Sequence, residues 1–197
     1  RAKAVNFRKG ETRLRDRILS STDLVGTIAG VPVISQLVNV VNGSAIGRRM
    51  LDKALGVHPE APIPEYYSDS GRSRVARGDA PGLEAKPTTE TRGRVALFAT
   101  CYCNRNEPAI DADLAAVFRH NGIQVSVVPQ ERCCGMPKLE LGDLESIEEA
   151  KEANIPALAA LVDQGYDIVA PIPSCVLMFK QELPLLYPDD AQVQKVR

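Results

Sequence analysis

The sequence predicts an α/β protein with a parallel sheet of three or more strands, flanked by helices in a Rossmann-like arrangement. Three short apolar runs, at 94–99, 123–128 and 167–172, have the length and composition of buried strands. Helical patterns separate these runs, and strands that alternate with helices form parallel sheets with right-handed crossovers. A helical N-terminal segment and an extended linker are predicted to precede this region.

The composition is that of an ordinary soluble globular chain. Of 197 residues, 44% are apolar and 25% are charged, which fits one or two domains. Residues 1–57 carry ten Lys or Arg against four Asp or Glu, whereas the whole chain has a formal charge of -1. The sequence holds two histidines and no Ser-His-Asp triad, phosphate-binding loop or surface that reads bases. We therefore predict no catalytic residue and no nucleic-acid partner.

The cysteines indicate a reducing compartment. They are five in number, which is odd, and all lie between 101 and 175 with no signal peptide before them. A disulfide framework of the extracellular kind is therefore not expected. We predict a cytoplasmic protein. Because the sequence starts without Met and stops in a polar run, we expect it to be a fragment of a longer protein.

Residues 1–57 form the first predicted region, a helical segment. A basic helix is predicted over 7–23, with candidate caps for the next element at its end. No charged side chain occurs from Leu24 to Gly47, but glycine, proline and amides dilute the hydrophobicity too much to favour a bilayer span. A helical hairpin broken at 30–32 is favoured, and association of the basic segment with an anionic membrane surface is a further prediction.

The second and third predicted regions are a linker and an α/β domain. Residues 58–93 contain five prolines and no apolar periodicity, which predicts an extended linker. Residues 94–197 form the α/β domain. Its helices are predicted over 108–121, 143–164 and 175–186, and the second of these is expected to kink or divide near Pro156.

Four cysteines follow the three predicted strands. Cys101 comes after the first strand, Cys133 and Cys134 come after the second, and Cys175 comes after the third. In an open parallel sheet the loops after the strands converge on one edge, where helix N-termini also point. The thiols are therefore predicted to meet there with lowered pKa values, and thiolates bind soft metals.

The spacing of these cysteines favours an iron-sulfur cluster over zinc. Structural zinc sites use cysteine pairs separated by two to four residues, and no such pair occurs here. Adjacent cysteines bond more easily to two irons of one cluster if the backbone turns sharply, which Gly135 permits. The ferredoxin cysteine run is absent. Inert core thiols and a redox-active disulfide between Cys133 and Cys134 remain as alternatives.

The chain also resembles a known family. Cys101, the run Cys133-Cys134-Gly135 and Cys175 resemble one copy of the cysteine-rich CCG domain found in the B subunit of heterodisulfide reductase and in glycolate and lactate oxidase subunits. The stretches TCYCNRNEP, CCGMPKLELGDLE and RAKAVNFRKGE are similar to the C subunits of anaerobic glycerol-3-phosphate dehydrogenases. The resemblance covers essentially the whole chain, which looks like the middle of such a protein.

The resemblance implies an electron-transfer subunit. It would relay electrons from a flavoprotein dehydrogenase, of the glycerol-3-phosphate or 2-hydroxy acid type, to a quinone or another acceptor. Separately from the resemblance, the basic helix and the uncharged hairpin predict docking on the inner face of the cell membrane or on a partner subunit. The alternatives are a cluster-free scaffold and a site of thiol-disulfide exchange.

The resemblance also implies a 4Fe-4S cluster, either cubane or noncubane, which exposure to air is expected to remove. The family motif ends in C-x-x-C, but Met178 stands at the last position here. Cys103 is therefore a candidate fifth ligand. Lys138 is predicted to offset the charge of the cluster.

Overall fold

The computed structural model describes residues 2–78 and 93–197. Its centre is a parallel sheet of three strands, β1 (Arg94–Leu97), β2 (Gln124–Val127) and β3 (Asp167–Val169), in the order β2-β1-β3. Val95 pairs with Val125 on one side and with Asp167 on the other. Each strand is shorter than the apolar run that predicted it. The predicted α/β class, with a parallel sheet and a helical N-terminal region, is confirmed.

Helices precede the sheet and flank it on both faces. Before β1 lie α1 (Ala2–Arg8), α2 (Leu14–Leu19), α3 (Thr22–Ala29), α4 (Pro32–Gly43), α5 (Ala45–Leu55) and α6 (Gly71–Arg77). After β1 lie α7 (Cys101–Arg105), α8 (Pro108–His120), α9 (Met136–Leu141), α10 (Leu144–Asp163), α11 (Pro173–Leu177), a π-helix (Met178–Glu182), α12 (Leu183–Leu186) and α13 (Ala191–Val196).

The larger hydrophobic core lies between the sheet and helix α10. Phe98, Ile147 and Leu158 are fully buried there, and the ring of Phe98 meets that of Phe179 edge to face at a centroid distance of 4.9 Å. Burial of this kind stabilises each large side chain by about 1.5–3 kcal/mol. The core therefore fixes α10 and the π-helix against the sheet.

Helix α10 differs from its prediction. It begins at Leu144 and runs without a break to Asp163, although Pro156 lies inside it. The side chain of Asp143 caps its N-terminus by accepting a hydrogen bond from the Ser146 N–H at 3.2 Å. Proline removes one hydrogen bond and strains a helix, but tertiary packing of Ile155 and Leu158 in the core outweighs that cost.

The predicted basic helix over 7–23 is wrong in its extent. The structure divides this stretch among α1, α2 and α3. Gly10 adopts a φ of 75° after α1, in the left-handed region that glycine favours at helix ends. The predicted break at 30–32 is observed, because α3 ends at Ala29 and α4 begins at Pro32. Among the described residues no single helix has the length and apolar composition to cross a bilayer. Helices α3 and α4 together have that length and composition, but the pair is bent by 107°.

The predicted linker is not wholly extended. Helix α6 lies within it, capped by Ser70, whose hydroxyl accepts a hydrogen bond from the Ser73 N–H. Helix α6 packs on α8, and the fully buried side chain of Val75 joins a second core cluster with Leu97 and Ala115. The proline pattern hid this helix because it is short. The rest of the linker prediction, over 79–92, falls outside the described residues.

Candidate functional site

Three loops place the cysteines at the carboxyl edge of the sheet. The loop after β1 turns at Thr100, whose φ of 61° is rare for a residue with a side chain, and leads directly into Cys101. The Thr100 hydroxyl then accepts a hydrogen bond from the Cys103 N–H at 3.2 Å, which fixes the first turn of α7. The adjacent pair Cys133 and Cys134 follows β2, and Cys175 lies in α11 after β3. The strands are parallel, so all three loops open on one edge.

The four cysteines form a row of interacting sulfurs. The Sγ atoms of Cys101 and Cys133 are 3.8 Å apart, and those of Cys134 and Cys175 are 3.3 Å apart. The thiols of Cys133 and Cys134 also interact with each other, which joins the two pairs. Segments that are distant in the sequence are thus brought together, as the predicted shared edge requires.

Cys133 is the thiol of the row whose pKa is lowered. Hydrogen bonds from the thiols of Cys101 and Cys134 lower the pKa of Cys133 well below its ordinary value, and this effect exceeds that of burial. The same interactions raise the pKa values of Cys101 and Cys134, and the Cys175 sulfur, to which the Cys134 thiol donates, raises the pKa of Cys134 further. One thiolate among several thiols is a soft, nucleophilic arrangement suited to metal binding.

Gly135 makes the sharp turn after the cysteine pair. Its φ is 95°, a left-handed conformation that residues with a Cβ adopt only at a cost. A methyl group at this position would lie 3.5 Å from Cε of Met178, which is ordinary contact, so the backbone and not space requires glycine. Met178 is itself fully buried beside this turn, at the start of the π-helix. A thioether therefore stands next to the cysteine row where the family motif has a fifth thiol.

The N-terminal helices contribute to the site. The Thr22 hydroxyl donates a hydrogen bond to the Cys133 sulfur at 3.4 Å, and the Asp23 carboxylate accepts one from the Cys133 N–H at 2.6 Å. Burial raises the pKa of Asp23, and the hydrogen bond from the Cys133 N–H opposes this. The sequence suggests Thr22 and Asp23 only as helix caps. Nothing in the sequence indicated that they meet a loop so far along the chain.

A buried asparagine clamps the same loop from α10. Asn154 is almost fully buried, and its amide donates to the carbonyl oxygens of Arg132 and Cys133, both at 3.2 Å. Its side-chain oxygen accepts from the Arg132 N–H at 2.9 Å. In the sequence, the signal for this role of Asn154 is its position as a polar residue on the apolar face of a predicted helix. The Lys138 Nζ donates to the Ser21 hydroxyl at 3.1 Å, and its role in offsetting the charge of a cluster stays a prediction.

Helix α6 ties the site loops from the other side. The Arg72 guanidinium donates to the Val128 carbonyl at 2.6 Å and lies 3.4 Å from the Glu131 carboxylate. Glu131 in turn accepts from the Ala99 N–H at 2.9 Å, which links the loops after β1 and β2. Burial raises the pKa of Glu131 to about 7, and the charge of Arg72 opposes this. The stretch predicted as a linker therefore supports the cysteine loops directly.

Asp111, on α8, is a second buried carboxyl near these loops. It is 0% exposed, and neither of its oxygens has a hydrogen-bond partner among the described residues. Burial raises its pKa to about 8, with a further contribution from Glu131 and an opposing one from Arg72. A side chain on Gly71 would collide with this carboxyl group, so α6 approaches α8 closely only because residue 71 is glycine.

Cys103 is not part of the sulfur row. It is fully buried on α7, and its pKa is raised to about 12, chiefly by burial. Its role as a fifth ligand stays a prediction, as do the ligand roles of the other four cysteines. Among residues 2–78 and 93–197, no three His, Cys, Asp or Glu side chains surround a point as they do around a single metal ion. The thiols are arranged as a row.

The fold and the cysteine row define a class of domain. Residues 95–180 match the cysteine-rich domain family called CCG. The matched range begins in β1, ends in the π-helix and includes all five cysteines. This part of the chain is a CCG cysteine-rich domain, as the resemblance in the sequence implied.

Particular relatives extend the likeness beyond this domain. The C subunit of anaerobic glycerol-3-phosphate dehydrogenase from Escherichia coli strain K12 is 27% identical over 172 residues, 87% of this chain and 41% of the relative. The B subunit of fumarate reductase (CoM/CoB) from Methanothermobacter marburgensis is 28% identical over 62% of this chain and 24% of its own length. Lactate utilization protein A of Bacillus cytotoxicus is 34% identical over 52% of this chain and 43% of its own length. The chain thus spans less than half of each relative, and no solved structure matches it significantly.

Proposed function

We propose that the chain is an iron-sulfur, electron-transfer subunit of an oxidoreductase complex. The observation that carries this proposal is the row of four sulfurs at one edge of the sheet. Relatives named as subunits of a dehydrogenase and of a reductase support the same class of protein. The electron donor is proposed to be a flavoprotein dehydrogenase subunit, and the acceptor a quinone or another carrier.

The donor set fits an iron-sulfur cluster. Four soft donors come from three loops, and one of them, Cys133, is already favoured as a thiolate. A row of thiols suits a centre with several metal atoms better than one tetrahedral ion, which needs its donors around a single point. The ligands are proposed to be Cys101, Cys133, Cys134 and Cys175. A bound cluster would supply reversible one-electron chemistry at this edge.

The surrounding residues hold these ligands in place. Asn154 and Asp23 fix the backbone at Cys133, and Thr22 donates to its sulfur. Gly135 sets the turn directly after the two adjacent cysteines. A rigid set of ligands suits electron transfer, since little rearrangement accompanies a change of charge.

Anaerobic reconstitution tests the proposal. The purified chain is supplied with iron and sulfide, and bound iron and acid-labile sulfide are then measured. We expect both in the unsubstituted chain and neither after joint replacement of Cys133 and Cys134 by serine. If the unsubstituted chain stays free of metal, the site is a scaffold or a thiol-exchange site. Alkylation that traps one reactive thiolate would identify a thiol-exchange site.

We further propose that α3 and α4 dock on the cytoplasmic face of a membrane. Both helices expose large apolar side chains, among them Leu24 at 62% and Leu37 at 63%. Arginines at 13, 15, 17, 48 and 49 flank this apolar stretch and suit an anionic lipid surface. Flotation with phosphatidylglycerol vesicles at low salt tests this, and equal recovery with neutral phosphatidylcholine vesicles would count against it.

A further inference from the structure

An apolar cavity of about 360 Å³ lies between the N-terminal helices and the cysteine row. Its walls come from α2 to α5 and from the segment that follows α5, with side chains such as Val25, Val38 and Leu55. Cys101 lies in the wall, so the cavity reaches the first sulfur of the row. Its volume falls in the usual range for sites that bind small molecules, about 300–1,000 Å³.

The lining excludes charged ligands. None of the described residues that line the cavity is Asp, Glu, Lys or Arg. Transfer of an ionised phosphate or carboxylate into such surroundings is very unfavourable without a partner of opposite charge. The cavity therefore does not suit glycerol phosphates, hydroxy acids or nucleotides. It suits a neutral, largely apolar molecule.

Polar groups occur in the wall near Cys101. Tyr66 and Asn106 both line the cavity, and the Asn106 side-chain amide donates to the Glu65 carbonyl oxygen at 2.8 Å. Burial raises the pKa of Tyr66 above its ordinary value, so the phenol keeps its proton and can donate it. Two hydrogen bonds with Asn39, each 2.9 Å long, hold the Tyr66 backbone. Tyr66 is thus a fixed donor, suited to a carbonyl oxygen on a ligand.

The outer surface of the same helices indicates where such a ligand comes from. Val25 faces the cavity, whereas its neighbour Leu24 is 62% exposed on the outer side of α3. Helix α4 likewise lines the cavity with Val38 and exposes Leu37. A helix that is apolar on both sides is typical of one that does not face water on its outer side. The cavity therefore lies behind helices that suit contact with lipid.

The geometry points to this cavity as the binding site of a lipid-soluble quinone, with a ring carbonyl at Tyr66 beside Cys101 and the apolar tail directed toward α3 and α4. A quinone combines what the lining selects: a neutral ring, carbonyl acceptors and an apolar tail. The inference concerns binding, and it rests on the proposed function because a carrier of electrons needs a redox centre beside it.

Equilibrium dialysis of the 197-residue chain against decyl-benzoquinone tests the inference. Val25→Trp fills the cavity and is expected to weaken binding by about tenfold or more. Leu24→Trp places the same side chain on the outer face and is expected to leave binding within about twofold. Tyr66→Phe removes only the hydroxyl, and binding should weaken about fivefold, as for one lost hydrogen bond. Tyr66→Phe barely changes the shape of the side chain, so this variant tests the inference even if Val25→Trp does not fold.

The outcomes separate this inference from the proposed function. Equal binding by the Val25→Trp and Leu24→Trp chains, or no saturable binding by the unsubstituted chain, would overturn the inference. Displacement by decanol as effective as by the quinone would also overturn it, since the cavity would then select only an apolar tail. Dialysis is run with and without reconstituted iron. If the chain binds quinone but never takes up iron, the proposed function is wrong, whereas the assignment of a quinone to the cavity remains.

Discussion

The two sulfur pairs are neighbours, but they lie in different surroundings. Cys101 and Cys133 are partly exposed, and residues of α3 contact Cys133. Cys134 and Cys175 are buried in the main hydrophobic core, together with Ile147 and Phe179. The first pair therefore depends on how the N-terminal helices pack, whereas the second depends on the α/β fold itself. Loss of cluster binding and loss of stability should therefore be separable by substitutions within one row of thiols.

The largest expected effect comes from replacing the buried pair. Cys134→Ser places a hydroxyl in an apolar core, and we expect a loss of about 1–3 kcal/mol in the free energy of unfolding together with loss of bound iron. Cys133→Ser should also lose iron, but with little change in stability because residue 133 is partly exposed. Urea unfolding of the iron-free chains measures the first effect. Equal destabilisation by the two substitutions would contradict the distinction between the pairs.

The next effect concerns a carboxyl group outside the row. The pKa of Asp111 is about 8 in the folded chain, against about 3.9 for an unfolded Asp. The folded state therefore binds more protons between these values, so stability falls as pH rises from about 4 to 8. Asp111→Asn should remove this loss, so that the gain in the free energy of unfolding over the unsubstituted chain is larger at pH 8 than at pH 5 by roughly 3–4 kcal/mol.

The matched control for this substitution is Asp113→Asn on the exposed side of the same helix. It should leave the pH dependence of unfolding unchanged. Asp111→Asn is also expected to leave bound iron unchanged, because Asp111 belongs to neither sulfur pair. A parallel shift in both variants would show that Asp111 is not the group responsible.

A smaller effect is expected at the turn after the cysteine pair. Gly135→Ala forces a left-handed residue to carry a side chain, which costs about 1 kcal/mol. Gly10→Ala imposes a similar strain at a φ of 75° with nothing within 4 Å of the added methyl. The two should unfold at similar urea concentrations, but only Gly135→Ala should lower bound iron. Iron loss in both would mean that general instability, and not the turn, controls the site.

The smallest effect is expected from the N-terminal contact with the first pair. Thr22→Val keeps the shape of the side chain but removes its hydrogen bond to the Cys133 sulfur, at a cost of about 0.5 kcal/mol. Loss of a donor to a ligand sulfur should lower the reduction potential of the reconstituted chain. Ser21→Ala is the control, since Ser21 bonds Lys138 and not a sulfur. If redox titration shows an unchanged reduction potential, Thr22 does not contribute to the site.

The sequence predicted those features that depend on local pattern and topology. The strands, the helix over 108–121 and the shared edge of the four cysteines follow from apolar runs and from the rule for parallel sheets. Helix α6 was missed because a helix so short, set among prolines, shows no periodicity. The contacts of Asn154 and Asp23 with the cysteine loop were missed because they join distant segments, and no local pattern records such pairings.

The contacts of Thr22 and Asp23 with Cys133 also have a consequence for assembly of the protein in a cell. They span sequence separations of 111 and 110 residues, so they form only after the ribosome has released the second cysteine loop. Once formed, they hold α3 against Cys133. We therefore expect helix α3 to dock on the cysteine loop late in folding, with Cys133 open to metal until then.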